Sequence, residues 1–181
     1  AIVVLLKTLQ VSRILCAGFS LGATDTMLRL ALGFARDRLL YGKRVTQIPV
    51  ARAKLAACLA RPLAADVLAQ ATTRAITLLP GELAILSPIA KYQVPLECEG
   101  IVNELAIVLG ARSYLRAEGH WGVFQKARRD LQVVSLFDGS TQVNLALLAG
   151  QLRLLVAALR TEAPGSTTRP DESIAVVARL L

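Results

Sequence analysis

Histidine is almost missing from this sequence, because His120 is the only one in the 181-residue chain. A zinc site or a Ser-His-Asp triad draws on histidine, so neither is supported and no metal is expected. Cysteine is also scarce: Cys16, Cys58 and Cys98 lie far apart, each in an apolar context. The number is odd and no CxxC motif occurs, which predicts buried free thiols and a reducing compartment, the cytoplasm.

Acidic and aromatic residues are few as well. Asp and Glu number 13 against 21 Lys and Arg, which gives a net charge of +8. The basic residues are scattered and only three Tyr, four Phe and one Trp are available for stacking, so no nucleic acid partner is expected. One basic cluster contains Arg36, Arg38, Lys43 and Arg44. It suits a phosphate or diphosphate group, although a solvated basic helix end gives the same pattern.

Uncharged stretches long enough to span a bilayer, about 18 residues, are absent. The longest candidate, 139–152, is too short and contains polar residues, so no transmembrane segment is expected. The start, AIVVLLKTLQ, has no basic n-region, cleavage site or initiator Met, which suggests a chain that begins inside something larger. The composition is nevertheless 54% hydrophobic. This surplus predicts apolar surface that missing domains or other subunits cover.

Apolar residues recur near a 3.6-residue period in four long segments. The predicted helices cover 8–41, 49–79, about 88–109 and about 140–160. Gly42 is a candidate C′ residue of the first, Pro49 opens the second at its first turn, and Gly110 ends the third. Pro62 is a candidate bend in the second helix, and Pro80 with Gly81 marks a turn.

Shorter segments join these helices. Residues 111–122 read as an irregular connector, 123–129 as a short helix, and 161–170 as a linker before a further helical segment, 171–181. No β-hairpin pattern is found. The sequence therefore predicts an all-α, antiparallel four-helix bundle over 1–160, followed by a linker and C-terminal extension over 161–181.

The stretch SLFDGSTQVN, residues 135–144, places a carboxylate at the end of an apolar run. Asp138 has two interpretations. It is either the N-cap of the fourth helix, with Ser140 and Thr141 in the first turn, or a base that removes a proton from a substrate.

Several motifs, in their order and spacing, resemble the C-terminal helical domain of the acyl-CoA dehydrogenases. The segment 38–43, Arg-Leu-Leu-Tyr-Gly-Lys, matches the family's Arg-x-x-Phe-Gly-Lys motif, and Pro49 follows it. Arg13 lies at the distance of a family arginine near the start of the first bundle helix. Ala90-Lys91 matches an Ala-Lys in the third helix.

Two further motifs extend the resemblance over about residues 8–155. Gly110-Ala111-Arg112-Ser113-Tyr114 is a degraded form of the family's Gly-Gly-x-Gly-Phe/Tyr turn. Arg129-Asp130 precedes Asp138-Gly139-Ser140 as the family's Arg-Asp precedes its catalytic Glu-Gly-Thr.

The resemblance implies an FAD-dependent oxidoreductase that dehydrogenates acyl-CoA or an acyl-carrier thioester, in which a base takes the α-proton and the β-hydrogen leaves as hydride to flavin. It implies Asp138 as that base and Arg13 beside the acyl-CoA. The implied FAD contacts are Arg38 on the diphosphate, Tyr41 beside the adenine, Gly110 and Ala111 approaching the FAD of a neighbouring subunit, and Ser140 and Gln142 as hydrogen-bonding residues. A dimer or tetramer is implied too.

The sequence also departs from this pattern. Asp138 stands where most members have Glu, a side chain longer by roughly 1.5 Å, and no carboxylate lies between Ala1 and Thr24 to replace it. Asp138 is therefore either an adapted base or the mark of altered or lost activity. The family's N-terminal helical and middle β-domains are missing, so they belong to the same gene or to a partner chain. The alternatives are an inactive subunit for FAD binding or assembly, and a flavin-dependent relative that uses oxygen.

Overall fold

The computed structural model describes residues 2–116 and 119–161, and the side chains as far as residue 154. The regular secondary structure of this part of the chain is helical apart from one small ladder, which confirms the all-α prediction. The helices are α1 (Ile2–Asp37), α2 (Pro49–Leu78), α3 (Leu83–Leu109), α4 (Gly119–Val134) and α5 (Thr141–Thr161). Two strands, β1 (Leu39–Leu40) and β2 (Lys43–Arg44), and the 3₁₀ segments Val45–Gln47, Pro80–Glu82 and Gly110–Tyr114 join them. The predicted linker and extension lie outside the described residues.

Helix α3 is the centre of the bundle, because it packs against α1, α2, α4 and α5. Val94, Cys98, Ile101 and Leu105 on α3 are fully buried. A helix surrounded by others needs no continuous polar stripe, which fits the apolar sequence of α3. A short connection, residues 79–82, joins α2 to α3, as in antiparallel bundles, and a longer segment, residues 38–48, joins α1 to α2.

The end of α1 differs from the prediction. The helix stops at Asp37 rather than continuing to residue 41, and β1 and β2 then pair as a small antiparallel hairpin, with Leu39 opposite Arg44. Its two turn residues, Tyr41 (φ +52°) and Gly42 (φ +74°), both have left-handed backbones. Two such residues form the tight turn that suits the twist of paired strands. The expectation of no hairpin was therefore wrong, and Gly42 is a hairpin residue rather than a helix cap.

Prolines begin one helix and lie inside two others. Pro49 occupies the first turn of α2, as predicted, and α2 continues through Pro62. Helix α3 begins five residues before Pro88, at Leu83, and contains Pro88 and Pro95. Both prolines are buried. Packing around α3 thus outweighs the usual cost of proline inside a helix.

The connector and the short helix also differ from the prediction. Residues 110–114 form a 3₁₀ segment, and α4 covers Gly119–Val134 instead of 123–129. Gly110 ends α3 as predicted: its N–H donates to the carbonyls of Ala106 and Ile107, and its φ of +62° suits a residue without a Cβ. Together, the 3₁₀ segment and the longer α4 bring Trp121 against α1, where its ring meets Phe34 edge-on.

Much apolar surface remains exposed. It includes Ile2 to Leu6 at the start of α1, Leu59 and Leu63 on α2, and Leu152 and Leu154 on α5. Helix α1 is also long and apolar enough to cross a membrane, judged by length and composition alone. This is a weak indication, because core helices and signal sequences satisfy the same criterion, and α1 contributes Ile14, Ala17 and Met27 to the core. The absence of a transmembrane segment stays a prediction.

Candidate functional site

Asp138 lies in the turn between α4 and α5, residues 135–140. Its backbone is left-handed, with φ +54°, and Gly139 follows at φ +96°. Asp is one of the few residues that tolerate this conformation. The Thr141 N–H donates to the Ser135 carbonyl at 3.3 Å and closes the turn. Two successive positive φ values therefore reverse the chain within a few residues and leave the Asp138 side chain beside α1.

Helix α1 holds Asp138 through both its side chain and its backbone. Ser12 Oγ donates to Asp138 Oδ2 at 2.5 Å, and Arg13 Nε donates to the Asp138 carbonyl oxygen at 3.1 Å. Cys16 Sγ lies 4.0 Å from the same Oδ2. Ser12 and Cys16 are four residues apart and so share one face of α1. The carboxylate is fixed by a helix distant in sequence rather than by its own turn.

Lys91 supports the same turn from α3. It is only 2% exposed, its Nζ donates to the Val134 carbonyl at the end of α4, and it lies 4.7 Å from the centroid of the Phe137 ring. Burial lowers the pKa of Lys91, and the nearby Cys16 and Asp138 oppose that shift. A buried ammonium bound to a helix-terminal carbonyl fixes the point where the turn begins. Ser135 adds a second link to α3 by hydrogen bonding to Glu99.

The three cysteines are free and buried, as predicted. Burial raises the pKa of the Cys16 thiol, and the positive charge of Lys91 opposes this shift. Burial likewise raises the pKa of Cys58 and of Cys98. Cys16 is therefore a protonated neighbour of Asp138 at neutral pH rather than a thiolate.

Ser140, not Asp138, caps α5. The Val143 N–H donates to Ser140 Oγ at 3.4 Å, and the Asn144 N–H donates to the Ser140 carbonyl at 3.0 Å. Asn144 is buried, and its Nδ2 donates to the carbonyls of Gly139 and Ser140. The interpretation of Asp138 as the N-cap was wrong, because its carboxylate faces Ser12 instead of the free N–H groups of α5.

A second polar region lies at the other end of α1. A cavity of about 490 Å³ opens there between the C-terminal half of α1 and the segment that follows α3. It is lined by Arg29, Leu30, Gly33, Phe34, Asp37, Arg38, Arg112, His120 and Trp121. We call it the arginine cavity. At a rise of about 1.5 Å per residue, the part of α1 from Arg13 to Asp37, the residue before Arg38, spans about 36 Å.

The sequence of the bundle identifies the chain. A model of the acyl-CoA dehydrogenase C-terminal domain matches residues 2–152, which is most of the chain. The chain belongs to the acyl-CoA dehydrogenase family. The match includes both the turn with Asp138 and the arginine cavity.

Known acyl-CoA dehydrogenases resemble the chain in sequence and in fold. Human mitochondrial short-chain specific acyl-CoA dehydrogenase is 26% identical over 152 residues, which cover 81% of this chain and 34% of that protein. Butyryl-CoA dehydrogenase from Megasphaera elsdenii has a TM-score of 0.72 at 22% identity, over 80% of this chain and 37% of that one. A probable acyl CoA dehydrogenase from Mycobacterium abscessus has a TM-score of 0.74 at 22% identity, over 82% and 38%. The chain spans about a third of the length of these relatives.

The residues expected from the acyl-CoA dehydrogenase pattern fall into two groups. Arg13, Asp138 and Ser140 lie together at one end of the bundle, with Gln142 exposed in the first turn of α5. Arg38 lines the arginine cavity at the other end, beside the hairpin that carries Tyr41, which is 98% exposed.

The turn after α3 belongs to this second group, since the cavity includes its Arg112. Gly110 and Ala111 are exposed there. Apart from its immediate neighbours, no described residue lies within 4 Å of a Cβ added to Gly110, so its backbone conformation, rather than crowding, accounts for the glycine.

Sequence reasoning missed several residues of both groups. Ser12 and Cys16 have no motif that marks them, and only the Ala-Lys motif marks Lys91. Arg112 and Trp121 lie in the segment read as an irregular connector. The sequence offered one signal for Arg112 and Trp121: an arginine lies inside a glycine turn, and the single Trp of the sequence follows it.

Proposed function

We propose that the chain is the C-terminal domain of an FAD-dependent dehydrogenase of acyl-CoA or acyl-carrier thioesters, with Asp138 as the base for the α-proton. One observation carries this proposal. Ser140 caps α5, while the Asp138 carboxylate is held against α1 by Ser12 and its backbone by Arg13. A carboxylate that has no capping duty and is fixed from another helix fits a chemical role.

The two oxygens of Asp138 have different surroundings. Oδ2 accepts the Ser12 hydroxyl, whereas Oδ1 has no hydrogen-bond partner among the described residues. One oxygen therefore anchors the carboxylate and the other is available to take a proton. Held this way, the shorter Asp side chain keeps a defined position, which proton transfer from a weakly acidic C–H requires.

Arg13 and Lys91 place positive charge beside this turn. Arg13 donates to the backbone of residue 138 and lies on the α1 face that borders the carboxylate. It is partly buried and is the residue we assign to the acyl-CoA end. Lys91 is occupied with Val134 and Phe137, so it positions the turn instead of contacting substrate.

The residues at the two ends of α1 fit FAD. When bound, FAD supplies the acceptor for the β-hydrogen of the substrate as hydride. Arg38 is exposed and has no hydrogen bond or ion pair through its side chain among the described residues, so its donors are free for a diphosphate. Tyr41 offers an exposed ring for the adenine side, and Ser140 and Gln142 offer polar groups at the start of α5.

The partners we propose are the N-terminal helical and middle β-domains, from the same gene or a partner chain, and further copies in a dimer or tetramer. The exposed apolar side chains on α1, α2 and α5 support this proposal, because such surface is usually covered in the assembled protein. Gly110 and Ala111 are exposed beside the arginine cavity, where they can approach the FAD of a neighbouring subunit.

Substitution of Asp138 tests the proposed base. In the full-length, FAD-loaded protein, anaerobic mixing with acyl-CoA measures the rate of flavin reduction. Asp138→Asn should lose most of that rate while FAD content and melting temperature stay near the wild-type values, because an amide cannot accept the α-proton. Flavin reduction at the wild-type rate in Asp138→Asn would contradict the assignment.

Asp138→Glu examines how the pocket is fitted to the shorter side chain. A lower rate than wild type indicates a pocket adapted to Asp, and a higher rate indicates a weakened member built for Glu. No reduction of flavin by any acyl thioester in the wild type, with FAD bound, favours the alternative of an inactive subunit for cofactor binding or assembly.

Substitution of Arg38 tests the cofactor assignment separately. Arg38→Ala removes a charge-assisted contact, so the affinity of the apoprotein for FAD should fall about ten- to a hundredfold. Arg36→Ala, which removes an exposed charge two residues away that does not line the cavity, is the matched control and should change little. Equal FAD affinities in wild type and Arg38→Ala would exclude the diphosphate contact.

A further inference from the structure

Arg112 is held in place by aromatic rings. Its guanidinium carbon lies 5.0 Å from the centroid of Phe34 and 5.9 Å from that of Trp121. The two rings are 5.7 Å apart and meet edge-on, at 88°. Stacking on rings orients a guanidinium without using its N–H donors. Arg112 is thus an oriented cation whose N–H donors remain available to a ligand.

Neither Arg112 nor Arg38 has a hydrogen bond or ion pair through its side chain within the described part of the chain, and both line the arginine cavity. Asp37 lines it too and forms no ion pair with either arginine. Arg29 is engaged elsewhere, with Asp25 at 2.8 Å on the exposed face of α1. Two unpaired guanidinium groups facing one cavity leave a surplus of positive charge, which favours an anionic ligand.

We infer that Arg112 is a second phosphate ligand of the arginine cavity and binds, together with Arg38, the diphosphate of a dinucleotide. This inference rests on the proposed role of Arg38 toward FAD. Guanidinium groups bind phosphate oxygens through paired N–H donors, and two of them match the two phosphates of a diphosphate. The volume of about 490 Å³ lies within the range of small-molecule sites.

The sequence explains how Arg112 reaches this place. Gly110 turns the chain at φ +62°, and Ser113 Oγ donates back to the Gly110 carbonyl at 2.8 Å. This closes the 3₁₀ segment and directs Arg112 toward Phe34 on α1. The same turn that ends α3 therefore carries the second cation to the cavity.

Calorimetric titration of the full-length apoprotein tests the inference with four probes: inorganic pyrophosphate, ADP, adenosine and FAD. Wild type should bind pyrophosphate and ADP, and adenosine much more weakly. Arg112→Gln should weaken pyrophosphate and ADP binding about ten- to a hundredfold. Arg116→Gln is the matched control, because Arg116 is exposed, carries the same charge and lines a different cavity. It should leave these affinities within about twofold.

Trp121 supplies a second readout, since it is the only Trp in the 181 residues. Binding of ADP should change the fluorescence of the wild type, and the part of that change that is lost in Trp121→Phe reports on the arginine cavity. If Arg112→Gln is too unstable to purify, the same titrations with Arg112→Lys test the inference. It keeps the charge but lacks the planar fork, so its affinity for pyrophosphate should still fall measurably.

Several outcomes overturn the inference. The inference is wrong if Arg112→Gln or Arg112→Lys binds pyrophosphate as tightly as the wild type. It is also wrong if adenosine binds as tightly as ADP. FAD binding that depends on Arg38 but not on Arg112 overturns it while leaving the proposed function intact. Conversely, pyrophosphate binding that depends on both arginines, without FAD binding, supports the phosphate site and contradicts the FAD assignment.

Discussion

Ser12 Oγ lies 2.5 Å from Asp138 Oδ2 and joins two residues 126 positions apart in the sequence. This contact fixes the carboxylate that the proposed reaction uses as its base. Arg13 makes the adjoining contact to the backbone carbonyl of Asp138. Consecutive residues of α1 therefore hold one residue of the α4–α5 turn, through its side chain and its main chain.

Ser12→Ala should slow flavin reduction by acyl-CoA about tenfold, because the carboxylate loses the donor that orients it. Unfolding free energy should fall by only about 1 kcal/mol, the usual value of one hydrogen bond. Rapid-mixing absorbance and urea denaturation measure the two effects. Ser12→Thr keeps the hydroxyl and should recover most of the rate. A rate in Ser12→Ala equal to that of the wild type would contradict the orienting role of this hydrogen bond.

Lys91→Met should destabilise the protein by about 1–3 kcal/mol, because the Val134 carbonyl loses its donor inside the bundle. Lys126→Met is a matched control: Lys126 forms an exposed pair with Asp130 one turn along α4. Exposed pairs of this kind contribute about 0.5 kcal/mol or less. Urea unfolding of both variants gives the comparison, and similar losses in the two would contradict the structural role of Lys91.

Two glycines should respond to alanine with opposite signs. Gly139 has φ +96°, where a Cβ is strained, so Gly139→Ala should cost about 1–2 kcal/mol. Gly18 lies within α1, and a methyl group added there would meet no described residue within 4 Å apart from the backbone of the helix itself, so Gly18→Ala should stabilise the protein by about 0.5–1 kcal/mol. Thermal melts of both variants test this, and a stabilised Gly139→Ala would argue against the left-handed turn.

Because the thiols are buried, they make the unfolding free energy depend on pH in the alkaline range. Burial raises the pKa of Cys98 above its ordinary value of 9.0, so its contribution is fully present below pH 9 and is lost as pH rises through the folded-state pKa. Lys91 gives the opposite pH dependence of stability, because burial lowers its pKa below 10.5 and the folded state therefore gains stability as pH rises.

Comparison with Cys98→Ala isolates the thiol, since Lys91 is common to both proteins. The stability advantage of wild type over the variant should shrink between pH 8 and pH 10.5, as measured by urea unfolding. If the difference in unfolding free energy between wild type and Cys98→Ala stays constant over this range, the pKa of Cys98 is not raised in the folded state. Thiol reagents at pH 8 should also react slowly with all three cysteines until the protein unfolds.

The sequence was sufficient where the signal was local. Pro49 at the first turn of α2 and Gly110 at the end of α3 were found because each acts through its own backbone. The prediction that Gly42 caps α1 was wrong because a helix C-cap and a hairpin turn both use glycine at positive φ. Only the preceding Tyr41, also left-handed, separates the two cases, and its conformation cannot be read from its side chain.

The site was predictable only in part for a related reason. Asp138 could be singled out because it interrupts an apolar run and precedes Gly139. Its anchor Ser12 could not, because their contact depends on how α1 packs against the α4–α5 turn. Lys91 reaches Val134 across the bundle in the same way. Contacts between distant segments leave no spacing in the sequence to detect.

The length of α1 separates the two groups of residues that are proposed to bind FAD. The part of α1 from Arg13, beside Asp138, to Asp37, at the arginine cavity, is about 36 Å long. If Gly110 and Ala111 approach the FAD of a neighbouring subunit, as proposed, each chain would contribute to two different FAD molecules. Co-expressed Asp138→Asn and Arg38→Ala chains would then regain activity by intersubunit complementation, with half of the sites in a mixed dimer composed only of intact contributions.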